Sequence, residues 1–226
     1  MKNFSIAIDG PASAGKSTIA KKVASHLGFI YLDTGAMYRS LTYVALKAEL
    51  VLEDEAALVS LLNTIEITFS YEGDQQKVFV NGEDVTDRIR EKDVTQNVSL
   101  VSSHEKVRAE MVARQQHIAK TGEIVMDGRD IGTVVLPAAD LKVFLIASAE
   151  ERALRRYKES IDKGMSVSLE QLTTELIERD HYDSTRTASP LKKAEDAIEL
   201  DSTHLTIEQV VEEVLRLAKE RLKKLK

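Results

Sequence analysis

A chain of 226 residues, 43% of them hydrophobic, is long enough to bury a sizeable core as one large domain or two small ones. The absence of cysteine excludes disulfides, thiolate metal sites and a thiol nucleophile, and a formal net charge of -6 disfavours nucleic acid and anionic lipid as surface partners. We therefore expect a cytoplasmic protein without a membrane segment, in which any phosphate-bearing ligand is held by a locally basic pocket.

Strands and helices are predicted to alternate in the first part of the chain. A short apolar run over 4–8 predicts a strand, and apolar residues at helical spacing over 19–27 predict the helix that follows it. A second strand over 29–32 leads into a second helix, whose apolar face extends from 37 to 45. This order is typical of a parallel sheet.

The pattern changes to alternation with period two in the next segment of the chain. The runs 65–69 and 77–80, separated by a polar turn at 72–74, predict an antiparallel hairpin. A hairpin has no place in an alternating βα pattern, so we expect a small β insertion over about 63–95.

The βα alternation resumes after the insertion. The pair Ser102 and Glu105 forms a candidate capping box for a helix that ends near Gly122. Further strands are predicted over 123–126, 141–146 and 197–200, and a final helix over 206–226. We therefore expect an α/β fold of three layers, in which a five-stranded parallel sheet is covered by helices on both faces.

A long charged stretch, 150–189, separates the last two predicted strands. Capping signals at Ser148 and Ser168 predict that the stretch is helical, and its composition predicts that it is largely exposed.

One segment between the first strand and the first helix matches the pattern G-x-x-x-x-G-K-[ST]. It reads Gly10, Pro11, Ala12, Ser13, Ala14, Gly15, Lys16 and Ser17. The two glycines let the loop curl so that backbone N–H groups face a phosphate, and the helix dipole adds positive potential. Lys16 would reach the β- and γ-phosphates of a nucleotide, and Ser17 would ligate magnesium.

The motif alone does not separate kinases from molecular switches and motors. A guanine-specific switch is disfavoured because the chain contains no Asn-Lys-x-Asp element, and motors usually need more sequence than this. Arginine favours a kinase, since Arg39 and Arg129 each follow a predicted strand and the carboxyl ends of parallel strands line the ligand crevice. Further arginines follow at Arg152, Arg155, Arg156, Arg179 and Arg186.

These arginines have two interpretations. Guanidinium groups bind phosphate oxygens bidentately and stay charged, which suits phosphoryl transfer. Alternatively, those at 152–156 form a solvated helix face paired with Glu150, Glu151 and Glu159.

Asp127 also allows two interpretations. It ends a predicted strand, where a Walker B acid would hold magnesium directly or through water. Aspartate is equally favoured at a helix N-cap.

Taken together, the motifs resemble those of the bacterial cytidylate kinases, over essentially the whole chain. The segments that carry the resemblance are 8–11, 15–18, 32–39, 127–135, 178–180 with Asp183 and Arg186, and 189–191. The resemblance implies a P-loop core over 1–62, 96–148 and 190–226, an acceptor-side insertion over about 63–95 and a lid over about 149–189. It also implies ATP-dependent, magnesium-dependent phosphorylation of CMP and dCMP by direct in-line transfer.

Site residues are implied by the same resemblance. ATP would be bound by the motif residues from Gly10 to Ser17 together with Thr18, and magnesium by Ser17 and Asp127. The acceptor phosphate would be bound by Thr34, Arg39, Arg129 and Arg186, the cytosine edge by Ser99, Arg108 and Asp130, and the sugar by Arg179 and Asp183. Catalysis would depend on Lys16, Arg129, Arg152, Arg155 and Arg156. Thr34 stands where some relatives have serine, which preserves the hydroxyl.

Two alternatives remain open at this point. One is a P-loop kinase for another small acceptor, such as UMP, AMP or shikimate. The other is a nucleotide-gated binding module without transfer activity. In each case we expect a monomer whose partners are small molecules and neither nucleic acid nor membrane.

Overall fold

The computed structural model describes residues 3–72, 75–162, 164 and 166–224. The chain divides into two units, one formed by Met1–Leu32 with Ala119–Lys226 and the other by Asp33–Ile118. Strands run over Ser5–Asp9 (β1), Ile30–Asp33 (β2), Ile67–Glu72 (β3), Gln75–Val80 (β4), Glu83–Asp84 (β5), Ile124–Gly128 (β6), Leu141–Ile146 (β7) and Ile198–Asp201 (β8). Helices run over Lys16–Leu27 (α1), Thr34–Lys47 (α2), Glu55–Leu62 (α3), Lys92–Val101 (α4), Glu105–Ala119 (α5), Ala149–Asp162 (α6), Leu169–Thr185 (α7) and Ile207–Lys224 (α8).

The first unit is built on a five-stranded sheet with the strand order β2-β6-β1-β7-β8. β1 pairs in parallel with β6 and with β7, and β7 pairs in parallel with β8. The predicted parallel sheet is therefore confirmed. Ile8 lies opposite Asp127 and Asp9 opposite Gly128, so the loops after β1 and β6 begin side by side.

The core of the first unit surrounds the central strand. Ile6 and Ile8 of β1 are fully buried, as expected for a parallel strand covered on both faces. Val23 of α1, Val143 of β7 and Val214 of α8 belong to the same apolar cluster. Burial of each such side chain contributes about 1.5–3 kcal/mol to folding, so this packing holds α1 against the sheet.

The second unit contains the predicted hairpin. β3, β4 and β5 form an antiparallel sheet in which Ile67 pairs with Val80, and the two-residue strand β5 was not predicted. Gly73 and Asp74 of the predicted turn lie outside the described residues.

Helices α3 and α4 of the second unit were also not predicted, and one predicted cap was wrong. Ser102 does not begin α5: it ends α4, and its hydroxyl donates to the carbonyl oxygen of Ser99 at 3.1 Å. The predicted capping box required α5 to begin directly after Ser102. In the structure the helix begins at Glu105.

The charged stretch of the first unit is helical, as predicted, and forms α6 and α7. The Ser148 hydroxyl accepts a hydrogen bond from the Glu151 N–H at 3.2 Å, and Ser168 accepts one from Gln171 at 3.4 Å, which confirms both caps. The prediction of exposure holds only in part, because the two helices pack together and bury Arg152. In the described part of the chain, no helix combines the length and apolarity needed to cross a bilayer.

Candidate active site

The loop between β1 and α1 leaves the sheet through a position that only glycine can occupy. A Cβ atom on Gly10 would lie 2.0 Å from the carbonyl oxygen of Leu145, and the φ angle of this residue is +152°. Ser13 and Gly15 have φ angles of +59° and +89° and turn the loop back onto the start of α1. Successive backbone N–H groups in such a turn converge on one point, which suits a bound anion.

Lys16 is buried inside this loop, where its Nζ donates to the carbonyl oxygen of Pro11 at 2.7 Å. Burial, followed by the charge of Arg129, lowers the pKa of Lys16 to about 7, against the opposing effect of Asp127 and Asp9. A phosphate bound in the loop would bring an opposite charge close to Lys16 and would therefore favour its protonated form.

A carboxylate at the end of β6 is held by two hydroxyl groups. Ser17 Oγ donates to Asp127 Oδ2 at 2.8 Å, and Tyr31 Oη donates to Asp127 Oδ1 at 2.8 Å. Asp127 lies within the strand, so the alternative that it caps a helix is wrong.

The oxygen atoms of Ser17 and Asp127 are suited to a divalent cation. Hydroxyl and carboxylate oxygens are the ligands that Mg²⁺ prefers, and Mg²⁺ is commonly held by one or two protein groups together with substrate phosphates. No group of three or more acidic, histidine or cysteine side chains that could hold a metal by themselves occurs among the described residues. The two residues thus fit Mg²⁺ that arrives with a nucleotide.

A second buried carboxylate joins β1 to the segment after β6. Asp9 Oδ1 accepts a hydrogen bond from the Ile131 N–H at 2.8 Å, and Oδ2 accepts one from the Gly132 N–H at 2.7 Å. These donors begin a π-helical turn, Ile131–Val135, of the kind that is frequent at functional sites. Burial raises the pKa of Asp9 to about 6, despite the opposing effect of the two N–H groups.

Four of the predicted acceptor-binding side chains of the first unit form one cluster. Arg129 Nε donates to Asp183 Oδ2 at 3.0 Å, and Arg186 Nη1 lies 3.8 Å from Asp183 Oδ1. Burial alone would raise the pKa of Asp183, but Arg129, Arg179 and Arg186 hold it below its usual range. Three guanidinium groups around one carboxylate leave net positive charge, as an anion site requires.

Arg152 is engaged with the phosphate-binding loop. Its Nη1 lies 2.7 Å from Asp180 Oδ2 and donates to the carbonyl oxygen of Ala12 at 3.0 Å. Its Nε donates to the carbonyl oxygen of Ala147 at 2.9 Å. The side chain is nearly inaccessible to solvent, in contrast to the predicted exposure of this stretch.

The two neighbouring arginines differ from each other. Arg155 Nε pairs with Glu151 at 3.2 Å, as the helix-face interpretation predicted, and its Nη2 donates to the Ser202 carbonyl oxygen at 2.7 Å. Within the described part of the chain, Arg156 makes neither a hydrogen bond nor an ion pair. The catalytic role predicted for these arginines stays a prediction.

In the second unit, α2 carries two predicted residues, Thr34 and Arg39. Asp33 caps the helix by accepting a hydrogen bond from the Ala36 N–H at 2.9 Å, and Thr34 is the first helical residue. Asp33 Oδ2 lies 2.8 Å from Arg39 Nη2 and 3.8 Å from Arg90 Nη2. These arginines outweigh the effect of burial and lower the pKa of Asp33.

Arg108 and Ser99, predicted to bind the cytosine edge, also belong to the second unit. Arg108 is buried, and its Nη1 donates to the Ser102 carbonyl oxygen at 3.0 Å. Its Cζ atom lies 5.3 Å from the centroid of the Tyr38 ring. Asp130, the third member of the predicted set, lies in the first unit and is buried directly before the π-helical turn.

Four of the residues that make these contacts were assigned no role from the sequence. They are Asp9, Tyr31, Arg90 and Asp180. Asp9 stands at a strand end inside the motif region, which is a usable signal. Tyr31 resembles an ordinary core residue, and nothing near it in sequence points to Asp127.

A cradle of backbone N–H groups on the central strand, with a lysine, a serine and a strand-end carboxylate, defines a P-loop nucleotide-binding protein. The fold is that of P-loop kinases: a gluconokinase from Sinorhizobium meliloti superposes with a TM-score of 0.52 at 12% identity, covering 99% of this chain and 96% of that one. The family model described as "Cytidylate kinase" matches residues 6–220. The chain belongs to the cytidylate kinase family.

Curated relatives agree with the family match over nearly the whole chain. A cytidylate kinase from Ligilactobacillus salivarius is 58% identical over 221 residues, which cover 98% of this chain and 99% of the relative. Another from Listeria monocytogenes is 57% identical over 217 residues, which cover 96% of each.

Proposed function

We propose that the protein transfers the γ-phosphoryl group of ATP to CMP and dCMP. The observation that carries this proposal is the family match over residues 6–220, which includes the buried Lys16 and the Ser17–Asp127 hydrogen bond. A nucleotide-gated binding module is disfavoured, because the P-loop is accompanied by the arginine cluster around Asp183 that phosphoryl transfer needs.

The first unit supplies the groups that act on ATP. Lys16 and the backbone N–H groups from Gly10 to Thr18 bind the phosphates, and Lys16 and Arg129 stabilise charge that develops on the transferred group. The proposed ion is Mg²⁺, held by Ser17 and Asp127, and it would neutralise phosphate charge when bound with ATP. No general base is required, since the attacking acceptor phosphate is already an anion.

Acceptor binding is assigned to residues of each unit. In the second unit, Thr34 and Arg39 bind phosphate, and Ser99 and Arg108 bind the cytosine edge. In the first unit, Arg129 and Arg186 bind phosphate, Asp130 receives the cytosine amino group, and Arg179 and Asp183 bind the sugar. Arg90 is a further candidate for phosphate, because it shares Asp33 with Arg39.

Residues from about 149 to 189 serve as a lid, with 63–95 as an acceptor-side insertion and the remainder as the core. Arg152, Arg155 and Arg156 belong to the lid, and contact with the transferred phosphoryl group is assigned to Arg156, because it has no partner among the described residues. Lid closure excludes water that would otherwise hydrolyse ATP. The protein acts as a monomer in the cytoplasm, where its partners are ATP and the acceptor nucleotide.

An acceptor panel tests the proposed function. Purified protein with ATP and Mg²⁺ is incubated with CMP, dCMP, UMP, AMP or shikimate, and ADP release is followed. Rapid release with CMP and dCMP and little with the others is the expected result. Preference for another acceptor would overturn the substrate assignment, and no acceptor-dependent release would favour the binding module.

A further inference from the structure

The backbone of Ala12, in the middle of the P-loop, is held at both its N–H and its carbonyl oxygen. Its N–H donates to Asp180 Oδ1 at 3.3 Å, and its carbonyl oxygen accepts a hydrogen bond from Arg152 Nη1 at 3.0 Å. Arg152 Nη1 also lies 2.7 Å from Asp180 Oδ2. The three groups form a closed ring of contacts, called here the Ala12 clamp.

The Ala12 clamp connects the P-loop to two helices at once. Arg152 belongs to α6 and Asp180 to α7, and apolar packing of Ala12 against Ala153 and Leu176 supports the same contact. The P-loop is therefore fixed to α6 and α7 by charge, by hydrogen bonds and by buried apolar surface.

Helix α7 also carries two residues assigned to the acceptor. Asp180 directly follows Arg179 and precedes Asp183 by three positions, and Asp183 is bonded to Arg129. Residues three and four apart are neighbours on the surface of a helix, so Asp180 and Arg179 both lie beside Asp183. One rigid helix thus contacts the P-loop through Asp180 and bears acceptor-binding groups directly beside that contact.

We propose that Asp180 is a positioning residue that, through Arg152 and the backbone of Ala12, couples triphosphate binding in the P-loop to acceptor binding by α7. The coupling rests on the proposed function of the site. A P-loop ordered by ATP phosphates holds α7 in its acceptor-binding position, and by linkage the acceptor must strengthen ATP binding by the same factor.

Charge explains why the acid is needed in the clamp. The Arg152 side chain is 6% exposed, and Asp180 is the carboxylate in contact with it. A buried cation that loses its counter-charge must find water or move, and either change would release the Ala12 peptide. Asp180→Asn preserves size and one oxygen acceptor while it removes this charge.

A matched pair of substitutions isolates the effect of the Asp180 charge on the coupling between ATP and CMP binding. Asp180→Asn changes the clamp, and Asp162→Asn makes the same chemical change at an exposed position near the end of α6. Affinity for a non-hydrolysable ATP analogue is measured by calorimetry with and without CMP, and the ratio of the two affinities is the coupling factor.

We expect a coupling factor of about 5 or more in the wild type and in Asp162→Asn, and a factor near 1 in Asp180→Asn. Amide hydrogen exchange at Ala12 should be faster in Asp180→Asn than in the other two proteins. Faster exchange at Ala12 with unchanged coupling would overturn the proposal, and so would a wild type without coupling. Should Asp180→Asn fail to fold, Asp180→Glu retains the charge but moves it by one methylene group. For Asp180→Glu we expect a coupling factor between 1 and that of the wild type. A coupling factor equal to that of the wild type in this variant would overturn the proposal.

The same experiment separates this inference from the proposed function. A wild type that binds CMP with coupling, beside an equally coupled Asp180→Asn, overturns only the inference. A wild type that binds none of the panel acceptors overturns both.

Discussion

Two buried ionisable side chains at the P-loop have pKa values displaced in opposite directions. Burial raises the pKa of Asp9 to about 6 and lowers that of Lys16 to about 7. Both displacements favour the neutral forms, and near neutral pH the larger effect is on Lys16, which carries only part of its positive charge in the free loop. Burial of such groups is common where a site must respond to an incoming charge.

The raised pKa of Asp9 predicts how the free energy of unfolding depends on pH. The folded state retains the Asp9 proton to a higher pH than the unfolded state, so the free energy of unfolding falls as the pH rises from about 4 to about 6. Relative to Asp9→Asn, the wild type should lose about 3 kcal/mol over this range, taking roughly 1.4 kcal/mol per pH unit. Urea unfolding at pH 4, 5, 6 and 7 measures the difference, and a constant difference across the series would contradict the prediction.

Lys16→Ala tests the phosphate cradle directly. We expect transfer to CMP to fall below detection while thermal unfolding stays close to that of the wild type, because the lost charge stabilises the departing phosphoryl group. Lys22→Ala, which removes an exposed lysine of the same helix, is the control. Near-normal turnover by Lys16→Ala would remove residues 10–18 from the ATP site.

Asp130 carries the prediction of base choice. Cytosine offers an amino donor to the Asp130 carboxylate, whereas uracil presents an oxygen at the same position. Two acceptors then face each other, which costs on the order of 1–3 kcal/mol or more of binding free energy. CMP should therefore be preferred to UMP by about tenfold to several hundredfold, at about 1.4 kcal/mol per decade. Asp130→Ala should reduce activity with CMP sharply and narrow this preference. The measurement is kcat/KM with both acceptors, and an unchanged ratio would exclude Asp130 from base recognition.

At the scale of elements, the contact between the P-loop and β7 limits substitution at Gly10. A methyl group there would meet the Leu145 carbonyl oxygen at 2.0 Å, and the backbone conformation is one that other residues rarely adopt. For a side chain added at Gly10, overpacking lowers the free energy of unfolding by about 1–3 kcal/mol, and backbone strain lowers it by about 1–3 kcal/mol more.

Gly10→Ala should therefore destabilise the protein by several times more than Gly28→Ala. Gly28 ends α1 with a φ angle of +70°, and a methyl group added there would meet no atom within 4 Å, so a loss of about 1 kcal/mol is expected. Guanidinium unfolding compares the two variants. Equal stability losses would show that β7 does not restrict the loop.

Elements with strong periodicity could be predicted from the sequence, and contacts between distant residues could not. All strands of the parallel sheet and helices α1, α2 and α8 follow from apolar spacing and from caps such as Gly28. Helix α4 was missed, and Ser102 was assigned to the wrong helix, because a serine between two helices can end one as readily as begin the next. The hydrogen bond from Tyr31 to Asp127 depends on neighbouring strands that only the folded sheet brings together.

At the scale of the whole molecule, chain order and spatial order differ. The strand that ends at the P-loop comes first in the sequence, yet its sheet partners β6 and β7 come from beyond the second unit. Family membership could be recognised from motifs because the P-loop, the residues around Asp33 and the segment after β6 each keep a local signature. The hydrogen bond from Arg129 to Asp183 joins residues 54 positions apart, and this contact required the structure.

This order has a consequence for a chain that is still being synthesised. Ile8 pairs alongside Asp127, so the apolar strand β1 must wait for more than half the chain to leave the ribosome. At about 5–20 residues per second, the delay is roughly 6–24 s. The segment Asp33–Ile118 is continuous and can fold during that time, whereas the nucleotide-binding unit can be completed only afterwards. Nascent β1 therefore exposes its apolar residues during this delay, when a ribosome-bound chaperone can protect it from aggregation.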